Sequence, residues 1–228
     1  MDITMNVDDH QYDGYQKVQY TNNSPDTLQK AYFHLYFNAF QPGSMMDVRS
    51  RTIKDPDRRV TDRIYGLSPD EIGFQEVREL TQNGMPLGWE VTGTVLKCAL
   101  AEPLLPGESA TFEMRWNAQV PKQIRRSGWN NKEGVEFTMT QWYPKLAEYD
   151  KDGWHPDQYV GREFYGVWGA FDVTVHIDKN YVLGGTGYLQ NPEDVGYGYD
   201  GVKKVRLGRN ELRKWHFKAD SVHDFAFA

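Results

Sequence analysis

Hydrophobic and polar residues alternate along much of this chain with a period of two. The segment ATFEMRW places Phe112, Met114 and Trp116 on one side of an extended backbone and polar residues on the other. The segments FDVTVHI and RKWHFKA repeat the pattern, the second with Trp215 and Phe217 on its apolar side. Such alternation predicts β-strands with one face against a core and the other towards solvent.

Turn-forming residues separate the predicted strands. The segment YQKVQYTNNSPDTLQKAYFHLYF predicts two strands joined by an Asn-Asn-Ser-Pro-Asp turn. The pair Asn83-Gly84 predicts the tip of a hairpin, because both residues tolerate the left-handed backbone that a tight hairpin turn needs. The segment DPDRRVTDRIYGLS is the one stretch typical of a helix, with Val60 and Ile64 four residues apart and Pro56 near its start.

Many short strands with almost no helix predict an all-β fold. We expect an antiparallel β-sandwich or a saddle-shaped multi-sheet domain, with a short helical insertion at about residues 43–70. No convincing boundary divides the sequence, so we expect a single domain over residues 1–228. Both ends fall in strand-like or apolar segments, MDITMNVDD and HDFAFA, which suggests a segment of a longer protein.

The composition fits a folded protein and argues against several classes of function. Of the 228 residues, 39% are hydrophobic and 14% are aromatic, which is enough for a substantial core. The net charge of −6 argues against a nucleic-acid partner, because phosphate binding favours a basic surface. No apolar run reaches membrane-spanning length. The single cysteine, Cys98, cannot form an intrachain disulfide, and its apolar surroundings predict an unreactive core residue.

The usual motifs for catalysis and metal binding are missing from the sequence. None of the six histidines belongs to a His-Glu-x-x-His pair, and no Gly-x-Ser-x-Gly elbow is present. The segment DKDG at Asp150–Gly153 resembles the start of a calcium loop, but Gly161 stands where such a loop needs a bidentate glutamate. We therefore predict no catalytic residue, no metal ligand and no cofactor in this chain.

The densest group of chemically capable residues lies in the stretch MTQWYPKLAEYDKDGWHPDQY. It contains the polar residues Gln141 and Glu148 and the aromatic residues Trp142, Tyr143 and Trp154. A packed turn, a metal site and one wall of a substrate cleft would each account for such a group. Large aromatic side chains with polar tips favour buried seams between domains and the walls of ligand clefts. Plain core packing is the alternative for the same aromatic residues.

The order of segments resembles the N-terminal β-domain of the zinc aminopeptidases related to aminopeptidase N and leukotriene hydrolase, a gluzincin metallopeptidase family. The matching segments are the strand in PLLPGESATFEMRWNAQVP, the pair Thr140-Gln141, the pair Tyr143-Pro144, the strand FDVTVHI and the closing WHFKADSVHDFAFA. The chain departs from the family at its Pro-Cys-Phe-Asp-Glu-Pro segment, because Lys145-Leu146-Ala147 precedes Glu148 here.

The resemblance implies a specific role. A catalytic zinc domain would follow residue 228, and this domain would cap its active site as its partner. In the family the glutamine of the Thr-Gln pair helps to bind the free α-amino group of a peptide substrate, which implies that role for Gln141. Glu148 is a second candidate for facing the substrate ammonium group, and a locally paired loop carboxylate is its alternative. The parent protein would hold zinc, and the family's habits suggest a periplasmic or cell-surface location.

A free-standing module that binds carbohydrate or peptide through surface aromatic residues is the alternative function. A domain removed from a partner domain should expose a large apolar patch, whereas a sugar-binding module should expose two or three coplanar aromatic rings. A third possibility is a scaffold descended from the peptidases that has lost its zinc. The fold alone does not separate these functions.

Overall fold

Short strands dominate the computed structural model of the chain, which describes residues 1–53, 58–161, 164–196, 205–208 and 211–228. In chain order the strands are β1 (Asp2–Asn6), β2 (Gln11–Thr21), β3 (Leu28–His34), β4 (Phe74–Gln82), β5 (Met85–Pro86), β6 (Trp89–Thr92), β7 (Val95–Leu104), β8 (Ser109–Gln119), β9 (Gly128–Trp129), β10 (Phe137–Thr138), β11 (Lys145–Leu146), β12 (Tyr149–Asp150), β13 (Gly153–Trp154), β14 (Gly169–Asp178), β15 (Tyr188–Leu189) and β16 (Leu212–Val222). The helical elements are a 3-10 turn (Tyr36–Ala39), α1 (Met45–Thr52) and α2 (Pro192–Val195). The predicted all-β class, with a short helix in the insertion, is confirmed.

Two main sheets form the molecule. The larger sheet has eight strands in the order β15-β16-β14-β1-β2-β8-β4-β5, and the smaller has four in the order β11-β3-β7-β6. Two further pairs, β9 with β10 and β12 with β13, stand outside these sheets. Neighbouring strands of the two main sheets are antiparallel except β1 and β14, which run parallel. The first strand therefore lies inside the larger sheet, between β14 and β2.

The alternation in the sequence decides which side of each strand is buried. On β8 the side chains of Phe112, Met114 and Trp116 are each at most 2% exposed, as the pattern predicts. The ring of Phe33, on the smaller sheet, meets that of Phe112 edge-on at a centroid distance of 5.9 Å. The core therefore lies between the two sheets and includes residues from both. Cys98 belongs to this core, and burial raises the pKa of its thiol to about 11.

The predicted turns occur where expected, with one difference in what they connect. Asn83 and Gly84 join β4 to β5 with φ angles of 51° and 83°, which confirms the hairpin tip. The Asn-Asn-Ser-Pro-Asp turn instead carries the chain from the larger sheet to the smaller one, because β2 and β3 belong to different sheets. Buried Asn22 stabilises this crossing, since its Nδ2 donates hydrogen bonds to the carbonyl oxygens of Asp26 at 2.7 Å and Leu104 at 3.0 Å.

The helix of the insertion lies earlier in the chain than the sequence predicts, and the predicted position is wrong. Helix α1 begins after Ser44, whose hydroxyl oxygen accepts a hydrogen bond from the backbone N–H of Asp47 at 3.1 Å. Residues 58–66 form successive turns, while 54–57 lie outside the described residues. Val60 and Ile64 are fully buried. The two side chains therefore anchor a series of turns to the core. For this they must point to the same side of the backbone, but the backbone between them need not form a continuous helix.

Candidate functional site

The aromatic residues that follow Gln141 are buried against the segment after β16. Trp142 is fully buried, and its indole N–H donates a hydrogen bond to the carbonyl oxygen of Phe225 at 3.0 Å. The carbonyl oxygen of Trp142 accepts one from Nε2 of Gln75 at 2.7 Å. The rings of Tyr12 and Phe227 contact the indole edge-on, at centroid distances of 6.1 and 5.5 Å. Trp142 therefore acts as a core residue that fixes the position of its neighbours.

Gln141 adopts an uncommon backbone conformation. Its φ angle is +53°, in the left-handed region that residues with a side chain rarely occupy, and the residue is 7% exposed. Its Nε2 donates a hydrogen bond to Oδ2 of Asp224 at 3.1 Å. A carboxylate can only accept, so the amide nitrogen must face Asp224 and the carbonyl oxygen Oε1 must point elsewhere. This contact therefore assigns the orientation of the amide.

Asp224 is the centre of a group of buried polar contacts, called here the Asp224 cluster. Its Oδ1 accepts hydrogen bonds from the hydroxyl of Tyr143 at 2.7 Å and from the backbone N–H of Phe225 at 2.9 Å. The ammonium group of Lys145 lies 3.9 Å from the same oxygen and also donates to the carbonyl oxygen of His223. The two carboxylate oxygens are thus held by three hydrogen bonds and one cation, which leaves the carboxylate little freedom to rotate.

The ionisation of the cluster follows from its burial. Burial raises the pKa of the Tyr143 phenol well above its usual value, and the adjacent Asp224 carboxylate raises it further. Burial lowers the pKa of Lys145, while the charge of Asp224 opposes that change. Lys145 is 6% exposed, and its ion pair with Asp224 offsets part of the cost of burying its ammonium group.

Two adjoining cavities open beside the cluster. Tyr143 and Lys145 contribute to the wall of the first, which has a volume of about 460 Å³. Glu148 and Tyr149 line the second, of about 740 Å³. The residues common to both walls are Gln19, Tyr20, Val167 and Trp168. The cavities therefore form one continuous surface depression, which the predicted site residues Tyr143 and Glu148 approach from opposite ends.

The acidic residues of the stretch have partners other than Gln141. Asp150 accepts hydrogen bonds from Nε2 of His155 at 2.8 Å and from the hydroxyl of Tyr165 at 3.1 Å. The bond from His155 is the main reason why the pKa of Asp150 falls to about 2. Burial raises the pKa of Glu148. Among the residues that the structure describes, no hydrogen bond or ion pair joins Glu148 to Gln141. Lys145 and Arg162 are the basic residues of the sequence that could pair with these carboxylates, and Arg162 lies outside the described residues.

Trp154 lies on a small hairpin above the smaller sheet. The residue is half-buried on β13, opposite Tyr149 of β12, and their rings meet edge-on at 5.2 Å. Its ring also lies 5.8 Å from that of Tyr32 and 6.3 Å from that of Tyr20. The rings of Trp142 and Tyr143 meet edge-on at 5.2 Å in the core, whereas Trp154 lies in the hairpin.

Exposed apolar side chains are scattered over the described part of the chain, with one group in the insertion. Met45, Val48, Ile53 and Tyr65 are 45–63% exposed on α1 and the turns that follow it. Trp168 is 66% exposed at the junction of the two cavities. In the described part of the chain, no group of three or more His, Cys, Asp or Glu residues is arranged to hold a metal ion. No described helix is both long and apolar enough to cross a membrane.

Asp224 is the residue of this site that the sequence does not reveal directly. Its partners Gln141, Tyr143 and Lys145 stand about eighty positions earlier, and no local pattern connects them. A weak signal exists in the segment HDFAFA, where a carboxylate is followed at once by alternating apolar residues. A charge next to buried positions needs a partner elsewhere in the chain, although the sequence does not say which one.

No protein-family model and no curated protein sequence matches this chain. Comparison with solved structures shows that the fold resembles the N-terminal domain of M1 zinc metallopeptidases, as predicted. The M1 zinc metallopeptidase from Deinococcus radiodurans matches with a TM-score of 0.52 and 14% identity, over 100% of this chain and 40% of that chain.

Two further solved structures are similar to the chain, a substrate-bound mutant metallopeptidase and a leukotriene hydrolase. A mutant M1 zinc metallopeptidase from Deinococcus radiodurans, bound to a Tyr-Ser-Ala substrate, matches with a TM-score of 0.51 and 13% identity over the same shares of the two chains. Native yeast LTA4 hydrolase matches with a TM-score of 0.47 and 8% identity, over 100% of this chain and 27% of that one. The chain thus spans about 40% of the length of the M1 zinc metallopeptidases whose fold it resembles.

Proposed function

We propose that this chain is the non-catalytic N-terminal domain of a zinc-dependent, aminopeptidase-like metallopeptidase. In this role it covers the active site of a following catalytic domain, which holds the zinc, and it binds the free N-terminus of a peptide substrate. The fold supports the first part of the proposal, since its relatives in structure are M1 zinc metallopeptidases that are longer than this chain. The geometry of Gln141 supports the second part.

The orientation of the Gln141 amide is the observation that carries the proposal. Its nitrogen is committed to Asp224, so the acceptor Oε1 is the atom that remains for a ligand. A substrate α-ammonium group is a donor and needs such an acceptor. A neutral amide supplies it without adding a charge to the site. The left-handed backbone at this position is a further sign, because such strain persists where the surrounding structure or the function requires it.

Glu148 is the second candidate contact for the substrate ammonium. Its carboxylate lines the larger cavity, where burial raises its pKa. A substrate cation bound beside it would oppose that change, because an opposite charge favours the ionised carboxylate. Trp142 and Tyr143 serve in this proposal to hold the loop of Gln141 in place rather than to touch the substrate. Trp154 supports the hairpin that carries the wall of the cavity.

The first experiment is to determine the size and the zinc content of the native protein that carries this sequence. We expect a polypeptide far heavier than 26.4 kDa, with one zinc ion and activity on peptides with a free N-terminus. A native protein close to 26.4 kDa would contradict the proposal and favour the alternative of a free-standing peptide- or carbohydrate-binding module.

The role of Gln141 is tested by Gln141→Ala in the native protein. We expect KM for peptides with a free N-terminus to rise roughly 10- to 100-fold, because one hydrogen bond to a charged group is lost. The value of kcat should change less, since the residue positions the substrate and does not take part in bond cleavage. Gln190→Ala, at an exposed glutamine, is the matched control and should leave KM unchanged. An unchanged KM in Gln141→Ala would restrict Gln141 to a structural role.

A further inference from the structure

We infer that Asp224 is a positioning residue, which turns the Gln141 amide so that its carbonyl oxygen faces the substrate ammonium. This inference rests on the proposed function of Gln141. An amide has a donor end and an acceptor end of nearly the same shape, so an unrestrained glutamine presents either end to a ligand. The 3.1 Å hydrogen bond from Nε2 of Gln141 to Oδ2 of Asp224 removes that ambiguity.

The surroundings of Asp224 suit a positioning role. Tyr143 and the backbone N–H of Phe225 both donate to Oδ1, which leaves Oδ2 as the oxygen that faces Gln141. Oδ1 therefore accepts from Tyr143 and Phe225, and Oδ2 accepts from Gln141. Rotation of the carboxylate by half a turn would only exchange these two equivalent oxygen atoms. An aspartate is thus an acceptor towards Gln141 in either orientation, which no neutral side chain of similar size can match.

The charge of Asp224 is balanced within the domain. Lys145 lies 3.9 Å from Oδ1, and the side chains of both residues are at most 15% exposed. The pair as a whole adds no net charge to the site, so Asp224 does not need to contact the substrate ammonium to be useful. Its effect on the substrate passes through Gln141, and this distinguishes it from a direct binding residue.

The substitution Asp224→Asn tests the inference in the native protein. Tyr143 and the Phe225 N–H still require an acceptor, so the oxygen of the new amide should face them and its nitrogen should face Gln141. Gln141 must then turn its oxygen inwards and present N–H groups to the substrate ammonium. We expect KM for peptides with a free N-terminus to rise roughly tenfold or more, with a smaller change in kcat.

The double variant Gln141→Ala/Asp224→Asn shows whether Asp224 acts through Gln141. We expect its KM to equal that of Gln141→Ala alone, because the amide that Asp224 orients is already absent. Additive effects on KM would overturn the inference. Asp220→Asn, the same change at an exposed position of β16, is the matched control and should leave KM unchanged.

The outcomes separate this inference from the proposed function. If Gln141→Ala raises KM and Asp224→Asn does not, the positioning role is wrong while the proposed function stands. If Gln141→Ala has no effect, the proposed substrate-binding role of Gln141 fails, and the positioning role of Asp224, which rests on it, fails as well. Should Asp224→Asn not fold, Tyr143→Phe replaces it, since this change removes one hydrogen bond that fixes the carboxylate. A rise in KM without an equal fall in kcat then supports the inference, and an unchanged KM overturns it.

Discussion

His34 is a buried ionisable residue at the end of β3. It is 2% exposed, and its ring stacks on that of Tyr36 at a centroid distance of 5.0 Å. Burial lowers the pKa of His34 to about 4, and the positive charge of nearby Lys145 lowers it further, while Asp157 opposes the change. The imidazole is therefore neutral in the folded chain at neutral pH.

The low pKa of His34 makes the stability of the chain depend on pH. The unfolded chain takes up a proton near pH 6.5, whereas the folded chain does so near pH 4, so the free energy of unfolding falls as the pH drops between these values. This residue alone should remove about 2–3 kcal/mol between pH 7.5 and pH 4.5.

Urea unfolding of wild type and His34→Phe at both pH values measures this contribution. Phenylalanine keeps a ring against Tyr36 and does not titrate, so the variant should lose about 2–3 kcal/mol less than wild type over that range. The comparison at pH 7.5 separates the change in packing from the change in protonation. An equal loss in both proteins would contradict the assigned pKa.

At the scale of single residues, the sequence reveals candidates better than it reveals their partners. Gln141 is a candidate from the sequence, because it stands in a Thr-Gln pair whose place in the order of segments resembles that of a known family, and its role stays a prediction. Asp224 could not be predicted, because its role depends on a contact over 83 positions that only folding brings about. The left-handed backbone of Gln141 was equally hidden, since glycine or asparagine is the usual signal for that conformation.

At the scale of elements, the contact between β2 and β8 contains a close approach of backbone and ring. Gly14 of β2 is paired with Trp116 of β8, and the indole lies across the glycine. A Cβ atom added at Gly14 would be 2.3 Å from Cζ2 of Trp116. Trp116 is 1% exposed, so an added Cβ would force a buried indole to move, and the absence of a side chain at position 14 is a packing requirement.

We therefore expect Gly14→Ala to destabilise the chain by about 3 kcal/mol, which is typical of overpacking in a dense core. Gly169→Ala is the matched control, because Gly169 also lies on a strand and an added Cβ would meet no atom within 4 Å. The control should change the free energy of unfolding by less than about 1 kcal/mol. Thermal or urea unfolding distinguishes the two variants, and equal effects would contradict the packing argument.

Long elements were predictable from local pattern and short ones were not. The strands around Phe112, Val173 and Phe217 extend over ten or eleven residues, so their alternation is repeated often enough to be recognised. The two-residue strands β9 to β13 contain too few positions to show any period. The helix was misplaced because the spacing of Val60 and Ile64 fits turns as well as a helix.

At the scale of the whole molecule, the two main sheets share one core. The contact between Phe33 and Phe112 crosses from one sheet to the other, and both rings are at most 2% exposed. Neither sheet can lose its partner without exposing these rings to water. We therefore expect this chain to unfold in a single transition, with coincident midpoints for tryptophan fluorescence and far-ultraviolet circular dichroism.

Phe112→Ala provides a test of this shared core. Removal of the ring should destabilise the chain by about 3–5 kcal/mol and lower the midpoint equally for both spectroscopic signals. Two separate transitions, in the wild type or in the variant, would show that the sheets are independent. The class of fold was predictable from the sequence, but the order of strands in the sheets was not, because pairing partners such as β1 and β14 are far apart in the chain.

The position of β1 has a consequence for how the protein is made on the ribosome. This strand is synthesised before the other strands of the sheet, yet one of its two edges pairs with β14, where the backbone N–H of Thr174 donates to the carbonyl oxygen of Met1 at 2.9 Å. Until Gly169–Asp178 has been translated, that edge of the nascent sheet has no partner, and open edges invite pairing with other chains. The larger sheet can therefore close around β1 only after β14 has been translated.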